Sequence, residues 1–276
     1  MKNKWRNAPV HIGLWITLII LLFPVWIMIS TSLQKYEDVF NWPPDWLPNK
    51  PEWINFVNVW LGDYSFHEPF FNSIIISVST ALISIVIAFP AAYALTRFKF
   101  KAKNLLLLIV LVTQMFSPII LIVGLFQLIQ TYNLLNTLIG VIITNSVFTT
   151  PMAVWLMYGY LQSIPVTLEQ AAFVDGASRF KSIIRITFPL AAPGVAMAGI
   201  YAFIMSWNDL IIPLILISED SLRPISLALT DFAGQNVVYW HEMMAASVIS
   251  TLPVAILFSF VQNLFVKGFM SGAVKE

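Results

Sequence analysis

The sequence contains no cysteine, which removes disulfides, thiol catalysis and cysteine-ligated metals from consideration. Charge is almost as scarce: Asp, Glu, Lys and Arg make up 11% of the 276 residues, against about 25% in a soluble domain. The three histidines, His11, His67 and His241, are too scattered to form a metal-ligand motif. No G-x-x-x-x-G-K-[ST] run occurs, so the chain has no P-loop to cradle a nucleotide phosphate. No Ser–His–Asp arrangement or paired intramembrane carboxylates stand out either, so the chain is not read as an enzyme. What it has is apolar surface, with 58% hydrophobic residues and a mean hydropathy of +0.80. A globule of this length cannot hide that much, so the solvent is lipid and the fold class is all-α, polytopic membrane protein.

Six apolar stretches read as transmembrane helices, at approximately residues 10–30, 70–95, 104–128, 138–160, 190–217 and 244–266. Each supplies the ~20 residues needed to cross ~30 Å of hydrocarbon. The fifth exceeds one upright span and carries Trp207-Asn208-Asp209, so a break near 207–209 is expected, with Leu210–Ile217 a re-entrant or interfacial piece. Basic residues fall on alternate connections: Lys2, Lys4 and Arg6 before the first stretch; Arg97, Lys99, Lys101 and Lys103; Arg179, Lys181 and Arg185; and Lys267 and Lys275 in the tail. Only Lys35, Lys50 and Arg223 lie on the opposite side, where Glu37, Asp38, Asp45, Glu52, Asp63 and Glu68 cluster. The positive-inside rule therefore places both termini in the cytoplasm. The first stretch is longer than the 7–15 apolar residues of a cleaved signal and is read as a retained helix.

The outer loop, residues 31–69, carries Trp42, Trp46, Trp53 and Trp60 among Pro43, Pro44, Pro48 and Pro51. Two compatible readings are an irregular segment in the headgroup belt and a docking surface for an external partner. The first four apolar stretches hold no ionisable residue in their cores, and Asp209, near the outer end of the fifth, is the one acidic residue within any stretch. An ion-coupled secondary transporter, the alternative function, would need such groups to bind and release its ion. Asp209 is read either as a residue that caps or breaks a helix or as part of a pathway. Asn72, Gln114, Thr144, Asn145 and Asn208 are candidates to line a path for a hydroxylated substrate, or to serve as interhelical glue.

The connection at residues 162–189 carries the most pattern. Thr167 with Gln170 matches a capping box after Pro165, predicting a short helix from Leu168 to Val174. Asp175-Gly176 stops it, and Ser178 is placed to cap a second helix ending at Pro189. This is a compact elbow with small Ala171 and Ala172 beside Phe173 and Val174. By physics alone it is either a knob that docks a soluble protein or an amphipathic loop lying on lipid headgroups.

That segment, Gln170-Ala171-Ala172, Gly176 and then Ile186-Thr187-Phe188-Pro189 after nine residues, resembles the EAA motif of the membrane subunits of ABC importers. Asn72-Ser73, Ala91-Ala92-Tyr93-Ala94, Trp207-Asn208-Asp209 and Gly272-Ala273-Val274-Lys275 further resemble the shorter permease of maltose-type carbohydrate importers. The resemblance implies the transmembrane domain of a type I ABC importer in a bacterial or archaeal cytoplasmic (inner) membrane. It would translocate a sugar, a di- or oligosaccharide, with glycerol phosphates also open, by alternating access. It implies a second homologous permease, two ABC ATPase subunits that bind the ATP, and an extracytoplasmic solute-binding protein. It assigns ATPase coupling to Glu169, Gln170, Ala171, Ala172, Phe173, Asp175, Gly176 and Ala177. Gln170 replaces the motif's glutamate and Phe188 its leucine, so the polar contact to the ATPase falls to Gln170 or shifts to Glu169. Gln114, Asn145, Asn208 and Asp209 are the substrate-pathway candidates.

Overall fold

The computed structural model describes residues 8–48, 50–62, 64–233 and 238–273. Expectations that rest on Lys2, Lys4, Arg6, Asp63, Val274 and Lys275 lie outside the described residues. Among the described residues no strand forms; one isolated bridge, Ala233 to Val238, is the nearest approach to one. Among the same residues four helices are long and apolar enough to cross a membrane unaided: α1 (Ala8–Ser32), α3 (His67–Arg97), α6 (Leu138–Gln162) and α13 (Trp240–Ala273). Two bent pairs raise the number to six if each counts as one span. The first pair is α4 (Lys103–Thr113) with α5 (Pro118–Thr131), bent by 97°. In the second, the segment Arg179–Leu190 meets α10 (Ala192–Trp207) at 72°.

The first pair corrects the expectation of one helix over residues 104–128. Pro118 has no N–H to donate and its ring crowds the carbonyl four residues earlier, while Ser117 before it takes an extended conformation (φ −63°, ψ 132°). The chain leaves the helix at Gln114 and restarts with Pro118 in the first turn, where proline is tolerated. Pro24, Pro90, Pro151 and Pro253, by contrast, sit inside continuous helices. The fifth span begins at Ala192 rather than Leu190, because the chain bends at Ala191. Its helix ends at Trp207, and a separate short helix, Ile211–Leu216, follows.

Two compact units are present. One comprises described residues up to His67 together with 228–252. Within it the Trp-rich loop contains α2 (Ile54–Leu61), and Asn55 Nδ2 donates to the carbonyls of Ser32 (2.9 Å) and Gln34 (2.8 Å). Gln34 Nε2 donates to the Asp45 carbonyl and Ser30 Oγ to that of Trp46, so the loop folds back on the end of α1. Phe66 and Phe232 are fully buried there. Trp42, Trp46 and Trp53 remain exposed.

The other unit comprises residues 68–227 with the described residues from 253 on. Its core is built where α3, α6 and α10 meet through small residues, Ala88, Ala92, Ala153 and Ala198, around Met157 and Leu161. Small side chains let membrane helices approach closely, and hydroxyls then bond across the gap. Ser84 and Thr149 lie 2.8 Å apart between α3 and α6, and Ser206 Oγ reaches Thr80 Oγ1 at 3.4 Å between α10 and α3. At the outer side, Asn72 Nδ2 donates to the carbonyls of Ser221 and Arg223, and Ser73 Oγ accepts from Ile225 N. Asn72 thus holds a loop rather than lining a path, and Thr144 donates to the Gly140 carbonyl of its own helix.

The α6–α10 contact is close at Gly194, where an added Cβ would stand 2.7 Å from the Tyr160 ring. Gly194→Ala is expected to destabilise the α6–α10 contact by about 1–3 kcal/mol of overpacking, seen as a lower thermal midpoint in detergent. Gly159→Ala, with nothing within 4 Å of its Cβ, should leave that midpoint unchanged or slightly raised.

Candidate functional site

The elbow between α6 and α10 is built from α7 (Thr167–Val174), α8 (Arg179–Ser182), a π-helical turn (Ile183–Thr187) and α9 (Phe188–Leu190). It lies on the side that the charge asymmetry assigns to the cytoplasm. The capping box expected of Thr167 does not form: α7 begins at Thr167 itself, with Val166 at the cap position and no side-chain cap. Backbone carbonyls do that work, Pro165 accepting from Leu168 N and Val166 from Glu169 N. The C-terminal end is a Schellman arrangement, with Ala177 N donating to the Ala172 carbonyl (2.9 Å) and Gly176 N to that of Phe173 (3.1 Å). This requires the left-handed backbone at Gly176, φ +81°. Ser178 Oγ accepts from Lys181 N and caps α8. The second helix is not uniform as expected but passes through the π turn and runs on to Leu190.

One face of α7 is buried. Glu169 and Ala172, three residues apart, are 3% and 8% exposed. Glu169 Oε1 accepts from Arg97 Nε at 2.7 Å, and Oε2 from the Tyr93 hydroxyl at 2.7 Å. The side chains of Arg97 and Glu169 are only 5% and 4% exposed. Arg97 Nη2 also donates to the Ile164 carbonyl at 3.1 Å and Nη1 more weakly to that of Leu161, so the guanidinium closes the end of α6 as well. Arg179 sits 4.7 Å from the Phe98 ring centroid and 6.0 Å from that of Phe173, a second cationic tie between α3 and the elbow. The elbow is therefore riveted to the last turn of α3 by charge and hydrogen bonds.

This geometry corrects two assignments. Glu169 is committed to Arg97 and Tyr93 and is not free to face another protein, and Ala172 packs inward. The outward face carries Gln170, Ala171, Phe173, Val174, Asp175 and Gly176, with Ala177 partly covered. Val174 is 88% and Phe180 73% exposed. An apolar patch of this kind outside the spanning helices marks an interaction surface. Arg97 and Tyr93 are the residues that sequence reasoning missed. The available signal was an arginine ending a 31-residue helix and a lone glutamate on an otherwise small and apolar helix face.

The pathway candidates divide. Gln114, Asn145 and Asp209 line one cavity of ≈ 260 Å³ in the larger unit, together with Phe116, Phe148 and Tyr201. Asn208 does not join them: it ends α10, exposed, with Nδ2 donating to the Ile204 carbonyl. Asp209 Oδ1 accepts from Ile211 N at 3.2 Å, so the residue also starts the next short helix.

A family model described as binding-protein-dependent transport system inner membrane component matches residues 84–271, which include the elbow and the cavity. The inner membrane ABC transporter permease protein YcjP of Escherichia coli (strain K12) is 32% identical over 99% of this chain and 98% of its own length. The trehalose/maltose transport system permease protein MalG of Thermococcus litoralis is 33% identical over 96% of this chain and 95% of its own. A chain from a bacterial ABC transporter involved in importing the acidic polysaccharide alginate shares the fold, with a TM-score of 0.77 at 22% identity. That match covers 95% of this chain and 99% of the other.

Arg97→Ala or Glu169→Ala leaves a lone buried charge, a loss of about 3–5 kcal/mol. Limited proteolysis of the elbow in membranes should accelerate in either variant. The paired apolar replacement, Arg97→Met with Glu169→Leu, should regain resistance, since neither charge is then stranded. Equal resistance in all three would remove the pair from its anchoring role.

Proposed function

The chain belongs to the family of binding-protein-dependent transport system inner membrane components, and we propose that its elbow is the handle by which a separate ATPase drives sugar import. As a permease subunit of an ABC importer it is a transport component, not an enzyme. The observation that carries the coupling role is the two-faced α7: one face riveted by Glu169 to Arg97 and Tyr93, the other exposed, with Val174 88% uncovered. A headgroup-lying loop would have no need of a buried ion pair to hold it rigid. A force-bearing one does.

In this reading two ATPase subunits bind ATP on the cytoplasmic side of a bacterial or archaeal inner membrane. One of them seats Phe173 and Val174, with Gln170 supplying the neutral polar contact that Glu169 cannot. A second, homologous permease completes the pore, and a binding protein outside delivers the cargo. Closure of the ATPase pair moves α7, and Arg97 passes the displacement to α3 while the Leu161 and Ile164 carbonyls pass it to α6. The bundle then switches between inward- and outward-facing states, a two-state element biased by a ligand bound elsewhere. A sugar cargo is supported by the trehalose/maltose relative, while the absence of ionisable residues from the cores of the first four apolar stretches disfavours coupling to an ion gradient.

Because the chain lacks cysteine, Val174→Cys supplies a unique thiol. It is expected to cross-link to the ATPase subunit in the assembled importer, and failure to do so at any nucleotide state would overturn the docking role. Gly176→Val should assemble but lose ATP-dependent uptake in proteoliposomes, since a β-branched residue resists φ +81°. Gly176→Asn, which tolerates that conformation, should retain most of it. Normal transport by Gly176→Val would count against a rigid handle.

A further inference from the structure

We infer that the ≈ 260 Å³ cavity is a subsite on this subunit for a single uncharged sugar ring, a conclusion that rests on the sugar-import reading and narrows it. The cavity lies where two helix interruptions converge, one between α4 and α5 at Gln114–Ser117, the other after α10 at Asn208–Leu210. Irregular backbone at membrane depth is tolerated where it is buried in protein or lines a polar cavity, and in secondary transporters broken helices form the ligand site.

The walls carry unspent hydrogen-bonding capacity. Asn145, 3% exposed and about 10 Å along α6 from its outer end, has an amide nitrogen with no protein partner. Orphaned buried donors of this kind are rare in native structures and call for an explanation. Asp209 has spent Oδ1 on Ile211 N, but its Oδ2 is buried and likewise without a protein partner. Gln114 holds only the Phe148 carbonyl, at 3.4 Å, a bond weak enough to exchange.

A free donor and a free carboxylate acceptor across one cavity match a sugar hydroxyl pair, since each hydroxyl both donates and accepts. Phe116, Phe148 and Tyr201 offer flat apolar walls for the C–H face of the ring. The volume falls just below the ~300–1,000 Å³ of small-molecule pockets, so it takes one ring and not a whole disaccharide. No Lys, Arg or His lines it. A uronate or sulfonate would face the Asp209 carboxylate with no cation to offset it, so the subsite selects against anionic sugars.

The test uses the complete importer with its own binding protein in proteoliposomes, with labelled trehalose, maltose and diacetylchitobiose as neutral probes and an alginate tetrasaccharide as the anionic one. Gln114→Cys provides a single thiol in a cysteine-free chain. Loaded binding protein carrying an imported neutral sugar should slow its labelling by a small thiosulfonate about 5-fold or more, while the alginate probe should not. Asn145→Leu, near in volume but without the donor, should raise the KM for that sugar about 10-fold, the scale of one hydrogen bond. Neutral-sugar import with neither protection nor a KM change overturns the subsite and leaves the importer reading standing. Protection by the alginate probe overturns the uncharged class. Failure of the wild-type assembly to import any of the four overturns both readings.

Discussion

Hydrocarbon supplies no hydrogen bonds, and that single deficiency governs where this chain is regular and where it is not. Over the spans, backbone groups are satisfied within helices, and polar side chains bond carbonyls of their own helix, as Thr144 does to Gly140, or one another across helices, as Ser84 does to Thr149 and Ser206 to Thr80. Where the backbone leaves a helix at depth, at Gln114–Ser117, it does so beside polar side chains from α6 and from the end of α10. The constraint that forbids loops in lipid thereby brings together the groups most suited to bind a polar cargo.

At the opposite end of the larger unit the arrangement is reversed: charge is used to make something rigid. Arg97 and Glu169 are nearly excluded from water, and the guanidinium is shared between a carboxylate and two carbonyls at the end of α6. Such pairs contribute little net stability over apolar packing but are costly to break. What they supply here is a defined angle among three elements, α3, α6 and α7. An eight-residue helix cannot hold a fixed orientation by its own propensity.

The membrane class, the helical fold and the transport family were legible from composition, charge placement and the spacing from Gly176 to Pro189. The stop at Gly176 could also be read, because a left-handed residue is a local demand that only a few side chains meet. What escaped reading depends on partners far along the chain. Nothing near Glu169 distinguishes its inward orientation from that of Gln170 beside it; the difference is made by Arg97, 72 residues earlier. Thr167 matched a capping pattern, yet the preceding turn already supplied the carbonyls. Pro118 broke its helix while Pro90 and Pro151 did not, a distinction set by packing that no local pattern records. The convergence of Gln114, Asn145 and Asp209 is likewise a product of three elements meeting in space.

The rivet at the end of α3 also imposes an order on biogenesis. Arg97 emerges from the ribosome 72 residues before its carboxylate, roughly 4–14 s at ordinary synthesis rates. During that interval the guanidinium has only water and headgroups for company, which holds the finished end of α3 at the membrane surface on its basic side. The intervening helices must insert and return before Glu169 arrives to replace them. Closing the elbow is thus a late event, and its formation reports that α4 through α6 have already taken their places.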